Sequence, residues 1–163
     1  MKYTSHANIA TFFIAISLPS MALAAAAPGA PGKVELQGDV KVEKTVVENG
    51  KTVIKLVDPK VVVPSDRLVF STRYTNSGGG RVDDAVITNP VPAAVVITEE
   101  SAVKLTVSVD SGKSWGPLSQ FTVLDPAGKR RAARASDITH VRWILPTLLA
   151  GATGTVTYHA IVR

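Results

Sequence analysis

Cysteine is absent from all 163 residues of this chain. Its absence excludes disulfides, thiol nucleophiles, thiolate metal sites and the acylated cysteine of a lipoprotein anchor. Charge is also sparse: Asp, Glu, Lys and Arg make up 19% of the residues, and no long block carries one sign. The formal net charge of +5 suits weak attraction to anionic polymers and does not by itself mark a nucleic-acid binder. No apolar run reaches the roughly 20 residues that a membrane-spanning helix requires. Nor does any segment show a sustained helical period, and no repeat of solenoid or propeller length is present.

The first residues read as an address. Lys2 forms a short basic region, Ile9 to Leu18 an apolar one, and Ala22-Leu23-Ala24 places small residues at both positions before a cut after Ala24. The expected division is a signal peptide at 1–24, a flexible Ala/Pro/Gly linker at 25–32 and one folded domain at 33–163. A mature chain of roughly 140 residues buries a sufficient core without disulfides. The protein is therefore expected to be exported, with no membrane span in the mature chain, to the periplasm, the cell surface or the medium.

Short strands punctuated by turns fill the rest. Asp39 to Val47 alternates, and Glu48-Asn49-Gly50-Lys51 carries the Asn-Gly pair of tight hairpins before Thr52 to Val57 returns. Leu68, Phe70, Thr72 and Tyr74 alternate with Val69, Ser71, Arg73 and Thr75. Asn76-Ser77-Gly78-Gly79-Gly80 then bends the chain, and Val82 to Thr88 is followed by Asn89-Pro90-Val91-Pro92. Val103 to Val109 alternates cleanly. Phe121 to Leu124 is stopped by Asp125-Pro126, His140 to Leu145 by Pro146, and Thr153 to Val162 comes last. About eight strands at this spacing predict an all-β fold, an antiparallel β-sandwich, with a barrel as the structural alternative that periodicity alone leaves open.

The run Tyr74-Thr75-Asn76-Ser77-Gly78, followed by Ile87-Thr88-Asn89 and Pro92, resembles the bacterial extracellular family catalogued as domain of unknown function 11. There a strand and turn of the form tYtitvtNtG leads into a strand end of the form itDxlP. Asn89 stands here where the family has aspartate. The resemblance implies an immunoglobulin-like sandwich in a surface or secreted protein and implies no activity.

Ser108-Val109-Asp110-Ser111-Gly112-Lys113-Ser114-Trp115 fits S-x-D-x-G-x-x-W, the Asp-box. It resembles the motif that shapes hairpin turns in sialidases and related propellers, away from their catalytic centre. The physical logic is local: Asp110 accepts backbone N–H bonds across the turn, Gly112 takes positive φ, and Trp115 packs beneath. We read it as a structural turn. Gly112-Lys113-Ser114 lacks the first glycine and the strand-helix context of a phosphate-binding loop.

Catalytic candidates are few. His140 and His159 lie on different strands, and no nucleophile-positioning turn accompanies them. No set of metal ligands at recognisable spacing exists, so no catalytic residue, metal or cofactor is expected. The only basic cluster, Lys129-Arg130-Arg131 with Arg134, falls in an expected loop without aromatic stacking partners, which argues against nucleic acid. The reading that emerges is a non-enzymatic structural or interaction module of the cell envelope. Its partner is expected to be an envelope protein or anionic polymer, met through an edge strand or through loops containing Asn76, Arg81, Lys129, Arg130, Arg131 and Arg134. The competing reading is a small exported hydrolase or carbohydrate-binding domain built on the Asp-box and the two histidines. Convergence of His140, His159 and a carboxylate in one concavity would favour it.

Overall fold

A computed structural model describes residues 31–163. The expected signal peptide and all but the last two residues of the expected linker lie outside them. Ten strands appear: β1 (Val34–Glu48), β2 (Lys51–Val57), β3 (Arg67–Asn76), β4 (Val82–Pro90), β5 (Val95–Ile97), β6 (Thr106–Ser108), β7 (Thr122–Leu124), β8 (Arg130–Ala132), β9 (His140–Leu148) and β10 (Thr153–Val162). A five-stranded sheet in the order β2-β1-β3-β10-β5 faces a three-stranded sheet ordered β4-β9-β6, and β7-β8 forms a separate hairpin. Every pairing is antiparallel. The fold is an all-β sandwich.

Period-two alternation explains the core. Val42, Leu68, Tyr158, Ala160, Val95 and Ile97 of the larger sheet are buried, as are Val107 and Val141 of the smaller. Phe70 stacks on its cross-strand neighbour Tyr158 at 4.8 Å between centroids within the larger sheet, and Trp143 of the smaller sheet bridges the layers at 6.3 Å from Tyr158. Burial pushes the Tyr158 hydroxyl pKa up to about 12, because the phenolate would have to form away from water.

β1 is fifteen residues long, and its two halves pair on opposite edges. Val34 to Val42 pairs with β3, whereas Val42 to Glu48 pairs with β2. The Asn49-Gly50 turn, with φ of 52° and 74°, closes the β1-β2 ribbon, as the Asn-Gly pair predicts. Pro59 then stops β2 from continuing alongside the first half of β1.

Three local expectations are corrected. Val103 to Val109 is not one strand. Thr98 caps a four-residue helix, α1 (Glu99–Ala102), accepting the Ser101 N–H, with Glu99 and Glu100 in the first turn. Val103 is left 71% exposed at its end, and pairing resumes only at Thr106. Pro146 does not end β9, which runs on to Leu148. The β4-β9 ladder skips Asp84, whose φ is +51°, so no proline N–H is missed there. Finally, Arg130 to Ala132 is strand β8 rather than open loop.

Candidate interaction surfaces

The glycine-rich turn after β3 is organised by Asn76, whose side chain is fully buried. Its Oδ1 accepts the Lys33 and Gly78 N–H groups at 3.1 and 3.2 Å. Its Nδ2 lies 2.8, 3.0 and 3.1 Å from the carbonyls of Gly80, Leu148 and Leu149. One amide thus ties together the start of β1, the turn, and the β9-β10 connection. A Cβ on Gly78 would lie 2.3 Å from the Pro31 carbonyl oxygen, so the chain entering β1 crosses where only glycine fits. This corrects the expectation of Asn76 as a partner-facing residue: no surface of it remains to offer. Arg81, three residues beyond Gly78, is exposed and pairs with Asp83 at 2.8 Å.

The Asp-box folds as a hairpin turn held by its own side chains and tied to Thr139 by the Ser111 N–H, which donates to Thr139 Oγ1 at 3.1 Å. Ser108 Oγ donates to Asp110 Oδ1 at 2.7 Å and accepts the Gly112 N–H at 2.9 Å. Asp110 Oδ1 also accepts the Lys113 and Ser114 N–H groups, and Oδ2 accepts the Ser114 hydroxyl. These donors, the Ser114 hydroxyl foremost, hold the Asp110 carboxyl well below the usual carboxylate range. Ser111 and Gly112 take φ of 61° and 86°. Trp115 donates its indole N–H to the Gly112 carbonyl and carries the Arg142 guanidinium 3.6 Å over its ring. Asp110 spends its acceptors inside the turn.

The basic cluster divides. Asp125 accepts the Ala127 and Lys129 N–H groups and shapes the β7-β8 turn, leaving Lys129 and Arg130 exposed at its tip. Arg131 is engaged elsewhere, donating both terminal nitrogens to Asp137 at 2.7 and 2.8 Å. Arg134 is exposed, and its backbone N–H is bound by the same carboxylate.

The histidines do not converge. Val141 and Trp143 point inward on β9, so His140 and Arg142 face outward from the three-stranded sheet beside Trp115. Tyr158 and Ala160 point inward on β10, so His159 faces outward from the five-stranded sheet, on the opposite side of the molecule. There His159 Nδ1 lies 2.9 Å from Glu43 Oε1, and Arg67 Nε donates to Glu43 Oε2 at 3.0 Å. This group borders a cavity of about 420 Å3 that Thr98, Glu100, Ser101 and Lys104 also line. Ser101 Oγ accepts the His159 backbone N–H and so serves the turn into α1. Asn89 points inward and donates to Thr72 Oγ1 at 2.7 Å. Among the described residues no group of three or more His, Asp or Glu side chains is placed to hold a metal ion. No helix among them is long and apolar enough to cross a membrane.

The feature that sequence reasoning missed is the step along the edge of the five-stranded sheet. Among the described residues no strand pairs with the outer edge of β1 beside Val34 to Val40, where Asp58 and Pro59 approach only its last residues, and further along β2 projects one strand beyond it. Concavities lie on both faces of this edge. An apolar groove of about 640 Å3 is lined by Leu36, Val40, Phe70, Tyr158 and Pro90 on the inner face. A polar one is lined by Gln37, Asp39, Arg73 and Thr155 on the outer. Alternation alone does not reveal which edge of a strand is filled.

Comparison with protein-family models, curated proteins and solved structures finds no match to this chain.

Proposed function

We propose that this chain is an exported, non-enzymatic structural or interaction module of the bacterial cell envelope, presenting an open edge strand and its end loops to a partner. The observation that carries this reading is the edge of β1 beside the projecting β2, which no strand among the described residues pairs with and which is flanked by exposed apolar side chains. The separation of His140 from His159 on opposite faces supports it, since the competing hydrolase reading needs them together. The resemblance of Tyr74 to Gly78 and Ile87 to Pro92 to the bacterial extracellular family supports the immunoglobulin-like assignment and the location. Lys129 and Arg130 offer a second contact, suited to an anionic polymer.

The test is to offer the purified protein to isolated envelope fractions and, in parallel, to a panel of ester, glycoside and peptide substrates. Replacing His140 and His159 together by Gln leaves binding intact if neither carries chemistry. Turnover by the wild type that vanishes in this double variant would overturn the proposal in favour of the hydrolase.

A further inference from the structure

The cavity of about 420 Å3 beside α1 opens on the outer face of the five-stranded sheet and falls within the usual size of small-molecule sites. Backbone bonds fix its walls. Where β5 ends its pairing at Ile97, the Thr98 N–H takes over, donating to the His159 carbonyl at 2.9 Å, and Ser101 Oγ accepts the His159 N–H at 3.0 Å. Leu68 and Tyr158 point inward, so Arg67, Thr157 and His159 face outward and line this space. Glu43 spends one oxygen on Arg67 Nε and the other on His159 Nδ1, which braces the arginine and leaves nothing for a ligand. Among the described residues, the terminal nitrogens of Arg67 and the Thr157 hydroxyl make no hydrogen bond. Glu100 and Lys104 also line the cavity, are exposed, and enter none of the ion pairs among the described residues. The Glu100 carboxyl is held below the usual carboxylate range by its own backbone N–H, by the Thr98 hydroxyl and, at longer reach, by the Arg67 charge. Arg67 and Glu100 thus sense each other across the cavity without joining.

Two cationic groups and one carboxylate therefore face a single cavity with binding capacity to spare. Their signs are the inverse of an acidic α-amino acid, which at neutral pH carries two carboxylates and one ammonium. We propose that this cavity binds a free acidic α-amino acid, its α-carboxylate on the Arg67 fork, its ammonium on Glu100 and its side-chain carboxylate on Lys104 and the Thr157 hydroxyl. A guanidinium whose Nε is already anchored presents its terminal nitrogens in a fixed plane, which suits a carboxylate and costs little ordering on binding. Buried Leu105, in the cavity wall, offers apolar contact to the ligand's methylenes. A purely anionic ligand would meet Glu100 unpaired, and a purely cationic one would meet Arg67 and Lys104. No residue joined into a peptide through its α-amino or α-carboxyl group keeps all three charges, so the ligand is the free amino acid. The site is separate from the edge of β1, because Arg67 lies beyond the Val42–Leu68 pair, past the stretch that no strand covers. It stands or falls independently of the edge-strand reading.

The test is an NMR titration of the purified, isotope-labelled protein with glutamate and with aspartate. At least one of them should bind with a dissociation constant below about 1 mM and shift the amide signals of Glu100 to Leu105 and Thr157 to His159. Three analogues each lack one charge: N-acetylglutamate the ammonium, glutamate α-amide the α-carboxylate, and glutamine the side-chain carboxylate. Each should bind at least about tenfold more weakly than glutamate. Glu100→Gln should remove the preference for glutamate over N-acetylglutamate, and Lys104→Met the preference over glutamine. Both side chains are exposed and outside any ion pair, so neither variant threatens the fold, whereas Arg67 is left in place because it also anchors Glu43. No signal change with either acidic amino acid at about 10 mM would overturn the proposal. So would analogues that bind as tightly as glutamate, or preferences that survive both substitutions.

Discussion

Asn76 is the residue whose replacement should cost most for its size. Its side chain satisfies two backbone N–H groups and faces three carbonyls, and these five groups belong to three separate segments. Asn76→Ala removes all of these bonds and leaves a polar cavity at the end of the sandwich. Only the Leu148 contact is wholly buried, and water can reach some of the others. An orphaned buried group costs about 1–3 kcal/mol, and a mutation of this kind about 3–4 kcal/mol in total. With a urea slope of about 1.5 kcal/mol/M, typical of a domain this size, the unfolding midpoint should fall by about 2 M. Asn76→Asp keeps the acceptor for Lys33 and Gly78 but turns a second oxygen toward the three carbonyls. That carboxyl is therefore held above its usual pKa in the folded state, and protonation restores one donor. The stability gap between this variant and wild type should narrow as pH falls from 7 to about 4. An alanine variant within about 0.5 kcal/mol of wild type, or an aspartate gap that widens on acidification, would refute this account.

Four further outcomes are expected. Trp115→Ala should lower stability by about 2 kcal/mol through lost packing and the lost Gly112 bond, without affecting partner binding. Of the tyrosines in the described domain, Tyr158 should resist ionisation until about pH 12 in ultraviolet titration; since the unfolded hydroxyl ionises near 10.0, stability should fall as pH climbs between those values. Lys129→Ser/Arg130→Ser should weaken association with an anionic polymer most at low salt, whereas Arg131→Ser should also shift the melting temperature, because Arg131 anchors Asp137. Mass spectrometry of exported protein should find its first residue at or next to Ala25; retention of Met1 would refute cleavage.

Alternation made β3, β4 and β10 legible nearly to the residue, because one face of each is buried and the other wet. It misread Val103 to Val109, where Thr98 and the acidic pair after it are a capping signal that outweighs a valine pattern. The three-residue strands Val95–Ile97 and Arg130–Ala132 are too short to show a period. The Asp-box was readable because the hydrogen bonds of its Ser108, Asp110 and Trp115 side chains all fall within eight residues. Asn76 looked like a turn residue because its partners lie 43 and 72 positions away, at Lys33 and Leu148. Side-chain order gives no hint of such distant partners, nor of an edge left empty.

The long first strand also has a mechanical consequence. β1 and β10 both run antiparallel to β3 and therefore parallel to each other, so Val34 and Val162 sit at opposite ends of the same sheet. A tether pulling on the start of β1 against an anchor at the end of β10 would slide strands along their length. The nine residue pairs between β1 and β3 would then yield together, in shear, rather than peel one at a time. A domain strung between a cell surface and its surroundings would, in this geometry, resist stretching far better than its modest size implies.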